Sequence, residues 1–229
     1  MPIHIDGVIQ EGNSMSGIMD KYSARLEEAG FGEAERNAFK FAIADTLAKD
    51  TAQKNAVELV RQKTAAQSDA MDAGRGHIRA SQNAARAAYG EDNKAILREF
   101  HAESGIKLNT VKKTTTELEY MKGVSIKHQS DLAKNGFSAD DIASFDTLSL
   151  NLTNADTGQE NAKKAQVTAT AVRDKSAKAL DKLIKKVRNI AKVKFKNDED
   201  ILKEFGSITV RRGGGGGKEE PPPQEPPKQ

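Results

Sequence analysis

The sequence predicts an all-α protein, an elongated antiparallel helical bundle built from two tandem pseudo-twofold repeats. Three observations predict it. The chain repeats itself about 106 positions on: Met15-Ser16-Gly17-Ile18 returns as Met121-Lys122-Gly123-Val124, Leu26 as Leu132, Gly30-Phe31 as Gly136-Phe137, and Phe39 as Phe145. Asp50-Thr51-Ala52-Gln53 likewise becomes Asp156-Thr157-Gly158-Gln159, and after a one-residue slip Ile96-Leu97-Arg98-Glu99-Phe100 becomes Ile201-Leu202-Lys203-Glu204-Phe205. Proline is confined to Pro2 and to Pro221, Pro222, Pro223, Pro226 and Pro227, so nothing in the body interrupts a helix. With no Trp, three Tyr and eight Phe, the core must come largely from Ala, Val, Leu and Ile, which suits close-packed helices better than a sandwich or barrel.

The elements follow in order. Residues 1–14 are an N-terminal arm with β-prone pieces at Ile3–Ile5 and Val8-Ile9. Helical repeat 1 spans 15–113, residues 114–120 connect, helical repeat 2 spans 121–212, and 213–229 form a disordered Gly/Pro-rich tail. Each repeat opens on an amphipathic stretch closed by a glycine, Gly30 or Gly136, where a helix C-cap needs positive φ. A Phe follows, so a helical hairpin turns through Gly-Phe. Ser138 with Asp141 has the spacing of a capping box. The longest helix of each repeat is expected to start near Asp50 or Asp156, these aspartates acting as N-caps while Gln53 and Gln159 return the hydrogen bond. A second reading has the two polar copies meeting as a buried layer that sets helix register.

From Val57 a 3-4 spacing selects Val60, Thr64, Gln67, Met71, Gly74, Ile78, Ser81 and Ala85 as a seam; its copy is Ala177, Leu180, Ile184, Val187 and Ala191. Met71 thus faces the role of Ala177, and Gly74 that of Leu180. This exchange of large and small conserves volume if the two long helices pack on each other. Each repeat ends on a β-prone stretch, Ile106–Val111 or Ser207–Val210, either a minor sheet or an extended arm.

For function, exclusion comes first. Without Cys, thiol catalysis, disulfides and thiolate metal sites are out. None of His77, His101 and His128 has an acid three residues before it, as a ferritin-like dimetal bundle requires, and no His-Glu-x-x-His occurs. Glu99, His101 and Glu103 diverge around a helix, and Asp69 and Asp72 with His77 read as solvated surface. The five-glycine run lacks a phosphate loop's Lys-Ser/Thr, and no Gly-x-Ser-x-Gly elbow appears. The reading is of no catalytic, cofactor or metal residues. No stretch approaches a membrane span or a secretory signal, so a soluble, cytoplasmic protein is expected.

Charge carries the positive signal. Residues 1–159 hold 19 Lys and Arg against 23 acids, whereas 160–212 hold 15 against 7. The excess concentrates in 175–196, where Asp181 is the only acid, and Lys178, Lys182, Lys185, Lys186, Arg188 and Lys192 are the candidate face for an anionic partner. The sequence reads as a non-enzymatic structural or protein-interaction module, monomeric because duplication supplies what a homodimer otherwise would. Its partner is an unidentified protein. The alternatives are nucleic acid bound along 175–196, or an anionic membrane.

Overall fold

A computed structural model describes residues 4–103 and 106–206. The protein is all-α, and among the described residues there is no strand. Among the described residues eight helices follow in order: α1 (Ile5–Lys21), α2 (Ser23–Glu27), α3 (Glu33–Tyr89), α4 (Lys94–Glu99), α5 (Val111–Lys127), α6 (Gln129–Lys134), α7 (Ala139–Lys194) and α8 (Glu199–Gly206). The tail 213–229, Ser207–Val210 and Ile3 lie outside the described residues.

Several boundaries differ from the sequence expectation. The arm read at 1–14 is helical from Ile5, and the connection read at 114–120 lies inside α5. Val8 and Ile9, β-prone in isolation, are buried on α1, where an apolar face to cover outweighs local preference. Residues 106–110 are neither helix nor strand, and Val111 opens α5 after Thr110, whose hydroxyl accepts from the Lys113 amide.

The two long helices do not begin at Asp50 and Asp156. They run 57 and 56 residues from Glu33 and Ala139, so both aspartates stand well inside a helix. The physical reason is plain: no Gly or Pro separates position 33 from 50 or 139 from 156, and aspartate alone does not stop a helix. The true start of α7 is the Ser138–Asp141 capping box. Asp141 Oδ2 accepts from the Ser138 amide at 2.7 Å, while the Asp141 amide donates to Ser138 Oγ at 3.2 Å. These Ser138 bonds hold the Asp141 carboxyl below its ordinary range.

The turns before the long helices are built alike. Phe31 N donates to Leu26 O and Gly30 N to Glu27 O; Phe137 N donates to Leu132 O and Gly136 N to Ala133 O. This is the Schellman pattern, and it requires positive φ, met at 76° in Gly30 and 83° in Gly136. Leu26, Phe31, Leu132 and Phe137 are all buried, so each turn is closed by an apolar contact as well.

The chain forms two compact units. Unit 1 joins Met1–Thr51 to Ala171–Gln229, and unit 2 is Ala52–Thr170. Unit 1 therefore joins the two ends of the described chain, and unit 2 is its middle. The core of unit 1 gathers Met15, Met19, Leu26, Phe31 and Phe39 with Leu180, Ile184, Val187, Ala191, Phe195 and Phe205. That of unit 2 gathers Met121, Leu132, Phe137, Ile142 and Phe145 with Ile78, Ala85, Leu97, Phe100 and Leu118.

Within each unit α3 and α7 pair antiparallel. In unit 1, Thr46 Oγ1 lies 3.0 Å from Ser176 Oγ. In unit 2, Gln67 donates to Asp156 at 2.5 Å, Gln159 donates to Thr64 at 3.1 Å, and His77 donates to the Asp141 carbonyl at 2.7 Å. Asp156 and Gln159 thus cross to α3 instead of capping α7. Their partners are Thr64 and Gln67, not the other copy of the motif. Asp50 is buried on α3 in unit 1, and Gln53 is half-buried in unit 2.

The exchange of Gly74 with Leu180 has a different basis from direct packing of the long helices. A Cβ on Gly74 would lie 3.3 Å from Leu118 Cδ1 and from Thr114 Cγ2, both on α5. A Cβ on Gly12 of α1 would lie 3.1 Å from Ile43 Cγ1 and 3.4 Å from Leu180 Cδ2. Each Leu is accommodated by a Gly on the helix facing it, one pair per unit, and volume is balanced locally.

Candidate interaction surface

The last part of α7, in unit 1, is amphipathic for a simple reason. Ala177, Leu180, Ile184, Val187, Ala191 and Phe195 recur every three or four residues and are all buried. That stripe orients everything between. Lys178, Lys182, Lys185, Lys186 and Lys192 fall on exposed positions.

Arg188 does not join them. It is four residues after Ile184 and three before Ala191, on the flank of the buried stripe, and the fold uses it internally. Its Nη1 lies 2.7 Å from Glu11 Oε1, and its Nε donates to the Phe205 carbonyl at 3.2 Å. The two side chains are 22% and 7% exposed, so this ion pair ties α7 to α1 away from bulk water. The signal was present in the sequence as spacing; charge alone concealed it.

Three of the remaining lysines meet in one open groove of about 810 Å³, lined by Lys182, Lys185, Lys186, Ile190, Val193 and Lys194, with Asn189 and Ala29 of the α2–α3 turn completing it. Val193 is 78% exposed, high for a large aliphatic side chain on a helix. Lys185 is paired with Asp181 at 2.6 Å and Lys194 with Glu28 at 2.7 Å. The Lys194 ammonium holds the Glu28 carboxyl below its ordinary range. Lys182 and Lys186 have no ion pair among the described residues.

The other two candidates lie apart from this groove. Lys192 borders a smaller hollow of about 170 Å³ with Arg188, Leu202, Phe205 and Gly206, and Lys178 is exposed outside both. Lys194, inside the basic stretch 175–196, was left off the candidate face, and sequence reasoning missed Ile190, Val193 and Ala29 as groove residues. An apolar residue off the buried stripe, Val193, was the readable sign; Ala29 reaches the groove only through the turn at Gly30.

All four histidines make contacts within the fold. His4 caps α1 by accepting from Gly7 N at 3.1 Å, and His77 packs on Phe137 and Phe145. His101 donates to Glu117 at 2.8 Å. His128 sits 2.9 Å from the Tyr89 hydroxyl and 3.2 Å from Glu99. No helix among the described residues is long and apolar enough to cross a membrane.

Fold and surface together define an all-helical protein with a lysine-rimmed apolar groove. Compared with protein-family models, curated proteins and solved structures, the chain matches none of them.

Proposed function

We propose that the protein is a non-enzymatic, monomeric, cytoplasmic interaction module whose α7 groove takes an acidic amphipathic segment of a partner protein. Its scaffold is two tandem repeats, 15–113 and 121–212, exchanged so that each compact unit contains parts of both, with 213–229 as a tether. Matching contacts support the repeat reading. Lys21 and Tyr22 bond Glu204 in unit 1, where Lys127 and His128 bond Glu99 in unit 2. Arg188 donates to the carbonyl of Phe205, where Gln82 donates to that of Phe100.

The single observation behind the binding reading is that Lys182 and Lys186, free of ion pairs among the described residues, share a groove with Ile190 and exposed Val193. Carboxylates of a partner would meet the lysines while its apolar face covers the valine. A duplex backbone gains only from the charges and leaves Val193 in water. A bilayer is engaged by an apolar face that inserts, whereas these apolar side chains line a groove.

The test compares three probes by fluorescence anisotropy or co-sedimentation: a synthetic Glu/Leu amphipathic peptide, duplex DNA, and vesicles rich in anionic lipid. The peptide should bind the full chain, and both Val193→Asp and Lys182→Glu/Lys186→Glu should weaken it by about tenfold or more. Binding of DNA or vesicles without peptide binding, or peptide binding indifferent to Val193→Asp, refutes the reading.

A further inference from the structure

Unit 2 contains a second cavity, of about 420 Å³, unrelated to the lysine groove. One wall is α3, from which Arg75, Arg79 and Arg86 all contribute. The spacing explains their convergence: four and seven residues apart, or about one and two turns, they share one helix face. Facing them are His101, Ala102 and Leu108.

Two of the arginines are fixed in place. Arg75 donates through Nε to the Leu108 carbonyl at 2.8 Å and also through Nη2, and Arg86 donates through Nη2 to the Ala102 carbonyl. A carbonyl orients a guanidinium without neutralising it, and each guanidinium has five N–H donors to share. Carboxylates do lie nearby. Asp72 is 2.9 Å from Arg75 and Glu91 is 3.8 Å from Arg86, both on well-exposed side chains, while Glu103 of the lining is paired with Arg98 at 2.8 Å. Arg79 has no ion pair among the described residues.

His101 adds an independent sign. Its φ of 49° places it in the left-handed region, unusual for any residue but glycine. It stands after α4 where the matching position after Phe205 is Gly206. Its amide donates to Arg98 O and the next amide to Leu97 O, so the turn is of the glycine-demanding Schellman kind. A side chain is thus held, against backbone preference, in the lining of a cavity to which three arginines contribute; it is anchored by Glu117 and stacked on Tyr120 at 4.6 Å.

We propose that this cavity is a binding site for a small phosphomonoester. Arg79 and the remaining donors of Arg75 and Arg86 take the phosphate, and Ile78, Ile106 and Leu108 pack against the organic part. The volume exceeds what a bare phosphate fills and falls within the range of small-ligand pockets.

The test uses the full chain at about 0.15 M salt, where surface attraction is screened, and follows amide shifts by NMR with three probes: phenyl phosphate, inorganic phosphate and benzoate. Phenyl phosphate should saturate with shifts centred on the lining residues Arg75, Ile78, Arg79, Arg86, His101 and Leu108. It should bind more tightly than either other probe, and Arg79→Gln should weaken it by about tenfold. Arg79 makes no ion pair that the fold needs, so this variant folds and its result is readable. Absence of saturable shifts, shifts centred on Lys182 and Lys186, equal affinity for all three probes, or affinity unchanged in Arg79→Gln would each overturn the proposal.

Discussion

Glu11 and Glu117 stand 106 residues apart, each buried and each on a short helix facing a long one, yet the two units satisfy them differently. Unit 1 answers with Arg188 from α7, a permanent cation at 2.7 Å. Unit 2 answers with His101 from the turn after α4, at 2.8 Å and with a side chain about one-third exposed. The difference teaches that a buried carboxylate demands a polar partner but not a particular one: an ion pair serves Glu11 and a hydrogen bond serves Glu117. In unit 1 that demand removed Arg188 from the basic face, and in unit 2 it holds His101 in a strained turn.

The comparison breaks most readily at the glycine–leucine contacts. Leu118→Gly should empty the space against Gly74 and destabilise the protein by about 4 kcal/mol, from lost burial, residual cavity and poor helix propensity. Gly74→Leu alone should cost about 2 kcal/mol by overpacking. The double variant recreates in unit 2 the arrangement of unit 1, with Leu on the long helix and Gly on the short one. Urea denaturation should show it less destabilised than the two single costs added. Strict additivity would mean that Gly12–Leu180 and Gly74–Leu118 are not alternative solutions of one packing problem.

The buried pairs come next. Arg188→Met strands Glu11 without its cation and should cost about 3 kcal/mol, and adding Glu11→Gln should recover part of it. His101→Gln leaves a neutral hydrogen-bond donor within reach of Glu117 and should cost under about 1 kcal/mol. Equal losses in the two variants would erase the distinction drawn between the units.

The smallest effect is expected from pH. Glu204 is held below the ordinary value of 4.5 by hydrogen bonds from Lys21 and Tyr22. Glu99 is held below the same value by Lys127 and His128. Because the folded form depresses both, their contribution is present above that value and is lost as pH falls through the lower folded values. Thermal unfolding followed at pH 7 and near pH 3 should show modest loss in both units. Glu204→Gln and Glu99→Gln should each flatten the slope, and an unchanged slope contradicts the assignment.

Much of this was legible in advance. Helical class, Gly-Phe turns, the Ser138 capping box and the phase of the Ala177–Ala191 stripe all follow from spacing within a few turns of chain. Asp50 and Asp156 were misread because a polar motif between apolar segments looks like a boundary. A helix that has a neighbouring helix to bond with has no need to end there, and Asp156 bonds Gln67 instead. The candidate surface was half legible: Lys182, Lys185 and Lys186 were identified, but Val193 and Ala29 complete the groove only through the packing of the α2–α3 turn.

By itself, the sequence determined which residues face inward, since periodicity and capping are local and depend on bond geometry within a turn or two. Only the tertiary structure decided what each inward residue meets: Leu118 for Gly74, Glu11 for Arg188, Gln67 for Asp156, and the cavity shared by Arg75, Arg79 and Arg86. The physical reason is that a helix face specifies a direction, whereas a partner is chosen by shape and charge among segments far away in the chain.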